Sequence, residues 1–229
     1  IGAAVPPTGP VWQGLTHYSY GVAGLEQLTL QQRGEAVGLL CRQLQQQGLR
    51  PDLVIAHSGW GETLQLRRVW GATPLVVLPE LWGQAQALGF GFDAALDGLL
   101  IDGDPFTLAN LVGELAIVQA DAALVASRSQ RDSFPEPLRQ RLTVLPEGLD
   151  LDQLQPDPDA LLSLPETILR AGEPIVTVIS RQLEPLRGLR QVLRAWPAVS
   201  AAHPEAQLVL VGDENGRGYG VEPPSGSSH

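Results

Sequence analysis

Lysine and methionine are missing from this 229-residue chain, and cysteine occurs once, at Cys41. A single thiol excludes an intramolecular disulfide framework and fits a reducing cytoplasm. Cys41 lies in a leucine-rich stretch of helical character, where it reads as a small core residue rather than a nucleophile. All 15 basic residues are arginine. We read this as a compositional bias, yet it leaves guanidiniums as the cations from which an anion site would be built. A basic excess is also lacking: the formal net charge is −10 and the sequence pI about 4.8, which argues against a nucleic-acid-binding surface. No stretch reads as a signal peptide, and no uninterrupted apolar run is long enough to span a bilayer. The first residue is Ile1, so the chain does not read as beginning at a natural start codon. Residues 221–229, rich in Pro, Gly and Ser, follow no completed domain. What is present suits a soluble protein with a sizeable core: 44% of the residues are hydrophobic and the mean hydropathy is +0.02. Length alone suggests one large or two small domains.

Taken in order, residues 1–24 mix Gly, Pro, Tyr and Trp without a period and read as loop. Leu28, Leu39, Leu40 and Leu44 predict a helix over 26–47 despite Gly34 and Gly38, stopped by Gly48 and Pro51. Residues 53–56 read as a short buried strand that runs into a glycine-bearing turn, His57-Ser-Gly-Trp-Gly-Glu62, and a helix over 63–70. The next strand is 75–78, followed by Pro79 and Glu80. Residues 84–103 are glycine-rich and read as a long loop. Its Asp93, Asp97 and Asp102, with Asp104, lack metal-ligand spacing and read as solvated surface. A helix over 105–119 with Asp104 as its cap, a strand over 121–126 and a short helix ended by Pro135 and Pro137 come next. A strand over 142–145 follows. Residues 146–158 are acidic and proline-rich, a connector, with 159–172 as its partly helical continuation. Beyond it lie a strand over 174–179, a helix over 187–202 and a strand over 207–211.

Apolar strands that alternate with helices predict an α/β fold with parallel sheets. The expected organisation is a first unit over 1–146, a linker over 147–172 and the start of a second unit over 173–229. The segment Ile179-Ser-Arg-Gln-Leu-Glu-Pro-Leu-Arg-Gly188 links the strand and helix of the second unit. Arg181 and Arg187 are expected to bracket this loop at the carboxyl edge of a parallel sheet. Two permanently charged guanidiniums beside a helix N-terminus make a phosphate or diphosphate site; the alternative is a pair of solvated loop arginines. His57 ends a strand, and Gly59 and Gly61 would let backbone approach a ligand. The plainer reading of His57 is a histidine hydrogen-bonded within its turn. Glu80 also follows a strand end, as a site carboxylate or an exposed helix-start residue. Trp60 and Trp82 are either a stacking wall for a sugar or core residues.

These residues resemble the glycosyltransferase family 4 enzymes, with the GT-B fold of two facing Rossmann-like domains. His57-x-Gly59-Trp60-Gly61-Glu62 resembles the HxGWGE motif of one bacterial branch. Pro146-x-Gly148-x-Asp150 followed by Pro156 is similar to the family's interdomain segment. Arg181-x5-Arg187-Gly188 resembles its donor-phosphate pair, and Gly212-Asp-Glu with Tyr219-Gly220 a loop of the donor domain. The resemblance implies two Rossmann-like parallel-sheet units, both incomplete, since an N-terminal strand with its glycine loop and a later E-x7-E segment are not found. It implies transfer of a sugar, with retention, from a nucleotide-diphosphate sugar to a glycan, lipid or small-molecule acceptor. The nucleotide sugar is a substrate, no cofactor or metal is implied, and membrane contact is at most peripheral. His57 and Glu80 would serve catalysis, Arg181, Arg187 and Gly188 the donor phosphates, and Gly59 to Glu62 the cleft loop. Alone, the chain is expected to show little turnover. A GT-B-like nucleotide-sugar epimerase and a non-catalytic assembly protein are the competing readings.

Overall fold

Four parallel strands carry the first half of the chain: β1 (Val54–His57), β2 (Leu75–Leu78), β3 (Ala122–Val125) and β4 (Leu142–Val144), in the order β1-β2-β3-β4. The computed structural model describes residues 14–20, 28–85, 88, 106–183 and 187–213. They fall into two compact units, one holding residues 14–20, 28–85 and 106–147, the other residues 88, 148–183 and 187–213. The strands of the first unit are short apolar runs because a parallel sheet is covered by helices. Helices α1 (Leu30–Gln46), α2 (Leu66–Trp70) and α3 (Thr107–Gln119) supply Val37, Cys41, Leu66, Val69, Ala116 and Ile117 to its core. Val77 of β2 and Cys41 are fully buried. Burial pushes the Cys41 thiol up, so it stays protonated, as expected of a core residue.

The element boundaries differ from expectation where local capping outweighs periodicity. α1 starts at Leu30, later than the predicted 26, because Thr29 closes a capping box. The Gln32 amide donates to Thr29 Oγ1 at 3.2 Å, and the Thr29 amide donates to Gln32 Oε1 at 2.9 Å. α3 begins after Phe106, which makes no side-chain cap bond; the expected cap Asp104 lies outside the described residues, as do Asp93, Asp97 and Asp102. Pro135 and Pro137 do more than end α4 (Arg128–Ser133). Pro135 is the N-cap residue and Pro137 lies in the first turn of a second short helix, α5 (Glu136–Arg139), where a missing amide costs nothing. The predicted helix over 63–70 is a 3₁₀ turn, Glu62–Gln65, that tightens the chain before α2.

An ion pair that sequence reading missed staples the start of the sheet. Arg67 of α2 donates to the Gln119 and Thr73 carbonyls and to Asp121 Oδ2, the last at 2.7 Å, while the Leu75 amide donates to the same Oδ2 at 2.8 Å. The Arg67 hydrogen bond first, then the Leu75 amide, holds the Asp121 carboxyl below its usual range. A depressed folded value contributes stability above the unfolded value, about pH 4, and that stability is lost as pH falls through the folded one. Thermal melts of wild type and Asp121→Asn at pH 7 and pH 3 are the check. Wild type should lose more stability across the interval than the variant, and equal losses would refute this.

The second unit differs more from expectation. Residues 159–172 form no helix but a hairpin, β5 (Leu161–Ser163) against β6 (Ile168–Arg170), with Leu162 opposite Leu169. Pro165 blocks a helix and suits the turn, which the Leu164 amide closes on the Thr167 carbonyl at 2.8 Å. β7 (Ile175–Gln182) and β8 (Gln207–Asp213) are parallel and joined through α6 (Leu189–Ala202). β7 therefore runs three residues beyond its predicted end, with a register shift between Ile179 and Gln182. Gly212 and Asp213, expected in a loop, are strand. A Cβ on Gly212 would stand 2.4 Å from the Ser180 carbonyl oxygen, so the irregular part of β7 needs glycine beside it.

Candidate functional site

In the first unit the carboxyl ends of β1 and β2 bring His57 and Glu80 together, although 23 residues separate them in sequence. His57 is the last residue of β1, paired in register with Leu78, and Glu80 stands two residues beyond it. His57 Nε2 lies 3.1 Å from Glu80 Oε2, and the Gly59 amide donates to His57 Nδ1 at 3.2 Å. A ring nitrogen that accepts from an amide carries no proton, so the hydrogen resides on Nε2 and is donated to Glu80. Both nitrogens are then engaged. The lone pairs that remain belong to the carboxylate, whose side chain is 58% exposed. The pair can present an oriented oxygen to a hydroxyl group.

The backbone of Glu80 is itself unusual. Its φ is +61°, the only positive value of a non-glycine residue among those described. The left-handed region costs such a residue about 1–2 kcal/mol, and the anchored segment Trp82-Gly83 holds it there. The Trp82 amide donates to Ser133 Oγ at 2.9 Å, and the Trp82 ring meets Phe134 edge-on at 6.0 Å. Asn110 of α3 exchanges two hydrogen bonds with the Gly83 backbone, at 2.8 and 2.9 Å. Trp82, one of two candidates for a sugar wall, thus packs against the core.

The other candidate residues surround the turn between β1 and α2. Gly61 has φ +98°, and a Cβ there would lie 2.0 Å from the Leu30 carbonyl oxygen. The backbone that Gly61 admits is therefore that of α1. The same contact explains two helix-breaking residues in α1. A Cβ on Gly34 would meet the Gly61 carbonyl oxygen at 2.7 Å, and one on Gly38 would meet Gln65 Cβ at 2.6 Å. The spacing of Gly34 and Gly38, one helical turn apart, is the sequence signal for a close-packed face. Gly59 lies under the imidazole, its absent Cβ 3.0 Å from His57 Cε1. Glu62 faces inward: the Tyr20 hydroxyl donates to its Oε1 at 3.1 Å, and Arg33 of α1 approaches the same oxygen at 3.6 Å. Trp60 remains 46% exposed. Tyr20 and Arg33 carry no motif signal, and sequence reading missed them.

In the second unit, Arg181 is exposed near the end of β7 rather than in the loop, and Arg187 is exposed just before α6. Gly188 is the N-cap residue of α6 with φ +80° and makes no side-chain cap hydrogen bond. The irregular end of β7 brings Arg181 to the same strand end from which the chain leaves towards Gly188.

The profile of the glycosyl transferase family 4 group matches residues 16–154, which hold the whole His57–Glu62 turn and Glu80. The chain belongs to the glycosyl transferase family 4 group. Among curated proteins, it is 26% identical over 175 residues to a D-inositol 3-phosphate glycosyltransferase of Segniliparus rotundus, covering 73% of this chain and 38% of that protein. It is 34% identical over 95 residues to a GDP-mannose-dependent alpha-(1-6)-phosphatidylinositol monomannoside mannosyltransferase of Mycolicibacterium smegmatis, covering 41% of this chain and 25% of that protein. The chain thus spans well under half the length of the curated relatives it matches. The four-stranded parallel sheet agrees with the Rossmann-like α/β class expected of a family 4 glycosyltransferase. Among the described residues of this family 4 chain, no helix is long and apolar enough to cross a membrane, and no three of His, Cys, Asp and Glu cluster to hold a metal ion.

Proposed function

We propose that this chain works, as part of a longer polypeptide in the cytoplasm, as a retaining and metal-independent glycosyltransferase. It would move a hexosyl group from a nucleotide-diphosphate sugar to a hydroxyl of a glycan, lipid or small molecule, without a cofactor. The observation that carries the reading is the His57–Glu80 pair at the carboxyl ends of adjacent parallel strands, where open α/β sheets bind ligands. The bond from the anomeric carbon to the diphosphate oxygen breaks, the acceptor oxygen bonds to that carbon on the face the diphosphate leaves, and the hydroxyl proton passes to Glu80. Glu80 accepts the hydrogen bond of the attacking hydroxyl, and His57 positions Glu80 through Nε2–H. Arg181, Arg187 and the amides after Gly188 neutralise charge growing on the diphosphate, work that fixed guanidiniums and a helix N-terminus can do without Mg²⁺. Gly59 to Glu62 shape the acceptor side.

The names of the two relatives make GDP-sugars and inositol-bearing acceptors the first to try. Calorimetric titration with UDP and GDP tests the donor half. Wild type should bind one of them, and Arg181→Ala should bind it at least about tenfold more weakly, the effect of losing one charge-assisted hydrogen bond. Equal binding by both proteins removes Arg181 from the donor site. Mass spectrometry of products from the longer polypeptide, given a panel of nucleotide sugars, tests the reaction, and release of an isomerised nucleotide sugar instead would favour an epimerase.

A further inference from the structure

A second group of side chains in the first unit is arranged around Trp60, about which the His57–Glu80 pair says nothing. The Arg33 guanidinium lies over the Trp60 ring, 5.8 Å from its centroid, and the same side chain reaches Glu62 Oε1 at 3.6 Å. Arg33 is only 18% exposed, whereas Trp60 keeps 46% of its surface open. One face of the indole is thus backed by a cation, and close to half of the residue is open to solvent. Glu62 Oε2 is buried with no hydrogen-bond partner, and so are Ser58 Oγ and Thr63 Oγ1 on either side of it in the same turn. An unpaired buried acceptor costs stability. The Glu62 carboxylate holds Arg33, with Tyr20 donating to Glu62 from the segment before α1. Gly34 and the bare backbone of Gly61 bring α1 close enough for this.

We infer that Trp60 is a stacking platform for a cyclic sugar or cyclitol ring of the acceptor, and that Glu62 and Arg33 are positioning residues that fix the plane of the indole. The inference rests on the acceptor lying on this unit, as proposed above, and names its chemical class. An indole nearly half exposed beside a polar turn suits a ring with one C–H-rich face and hydroxyls at its rim, and suits an open chain poorly. Arg33 over one face of the indole helps to hold the ring in place.

The test is saturation-transfer NMR of the protein with a panel of methyl pyranosides and myo-inositol, and with acyclic D-sorbitol as control. At least one cyclic probe should bind and sorbitol should not. Trp60→Ala should weaken that binding at least tenfold, Trp60→Phe should retain most of it, and Arg33→Gln should fall between, with circular dichroism melts showing that each variant folds. Trp60 is exposed, so its replacement leaves the core intact. Failure of every cyclic probe to bind wild type, or binding unchanged in Trp60→Ala, overturns the platform. The measurement needs no turnover. A longer polypeptide that transfers no sugar, together with a chain that binds a ring through Trp60, would refute the transferase reading alone, and the reverse pattern would refute only the platform.

Discussion

Gly61→Ala is expected to destabilise the first unit by about 4 kcal/mol, enough to remove much of the roughly 5–15 kcal/mol that holds an ordinary domain folded. Two effects add. At φ +98° an alanine sits in the left-handed region, which costs about 1–2 kcal/mol. Its Cβ would also lie 2.0 Å from the Leu30 carbonyl oxygen and 2.8 Å from Leu30 Cα, contacts with backbone that no rotamer relieves. Overpacking of this kind costs about 1–3 kcal/mol as α1 is forced off the turn. Gly113→Ala is the control. It lies inside α3 with nothing within 4 Å of its absent Cβ, and there alanine should stabilise by about 0.5–1 kcal/mol. Urea denaturation of the three proteins decides the matter. A Gly61→Ala midpoint matching wild type would mean that the turn does not press on α1 as described.

In the longer polypeptide, Glu80→Gln should lower kcat by about 10²–10⁴-fold, the usual worth of a positioned acid–base group, with little change in affinity for the nucleotide. Glutamine retains the shape but cannot take up charge from the hydroxyl. His57→Ala should lower kcat less, because it acts through Glu80, and His57→Gln, which keeps a donor for Glu80 Oε2, should recover part of the loss. Glu80→Gly separates chemistry from folding. Glycine relieves the positive φ at Glu80 while adding about 0.5–1 kcal/mol of backbone entropy cost, so the variant should melt at or above wild type yet be inactive. Activity in Glu80→Gly close to wild type would show that the strained carboxylate has no part in the reaction. An equal fall for His57→Ala and His57→Gln would argue that the imidazole does more than orient its partner.

How much of this is legible in the chain alone depends on the range of the interaction. Apolar runs such as Leu75–Leu78 and 122–125 and the stop at Gly48 are local signals, and the structure puts strands and a helix end there. The hairpin over 161–170 escapes such a reading because two strands of three residues are too short to show a period, and pairing Leu162 with Leu169 decides it. Arg181 reads as loop because β-branched residues end at Ile179, whereas the strand continues where Leu183 and Gln182 find partners at Asp213.

The sequence by itself determined the alternation of strands and helices, the solitary buried thiol, and the residue types around which an anion or a hydroxyl group could be held. Only the tertiary structure decided which of them meet. His57 finds Glu80 because parallel strands place distant residues side by side, and Gly34 finds Gly61 because a helix and a turn can close to backbone contact only where both lack side chains. Those contacts depend on register and interelement distance, which no local stretch of sequence encodes.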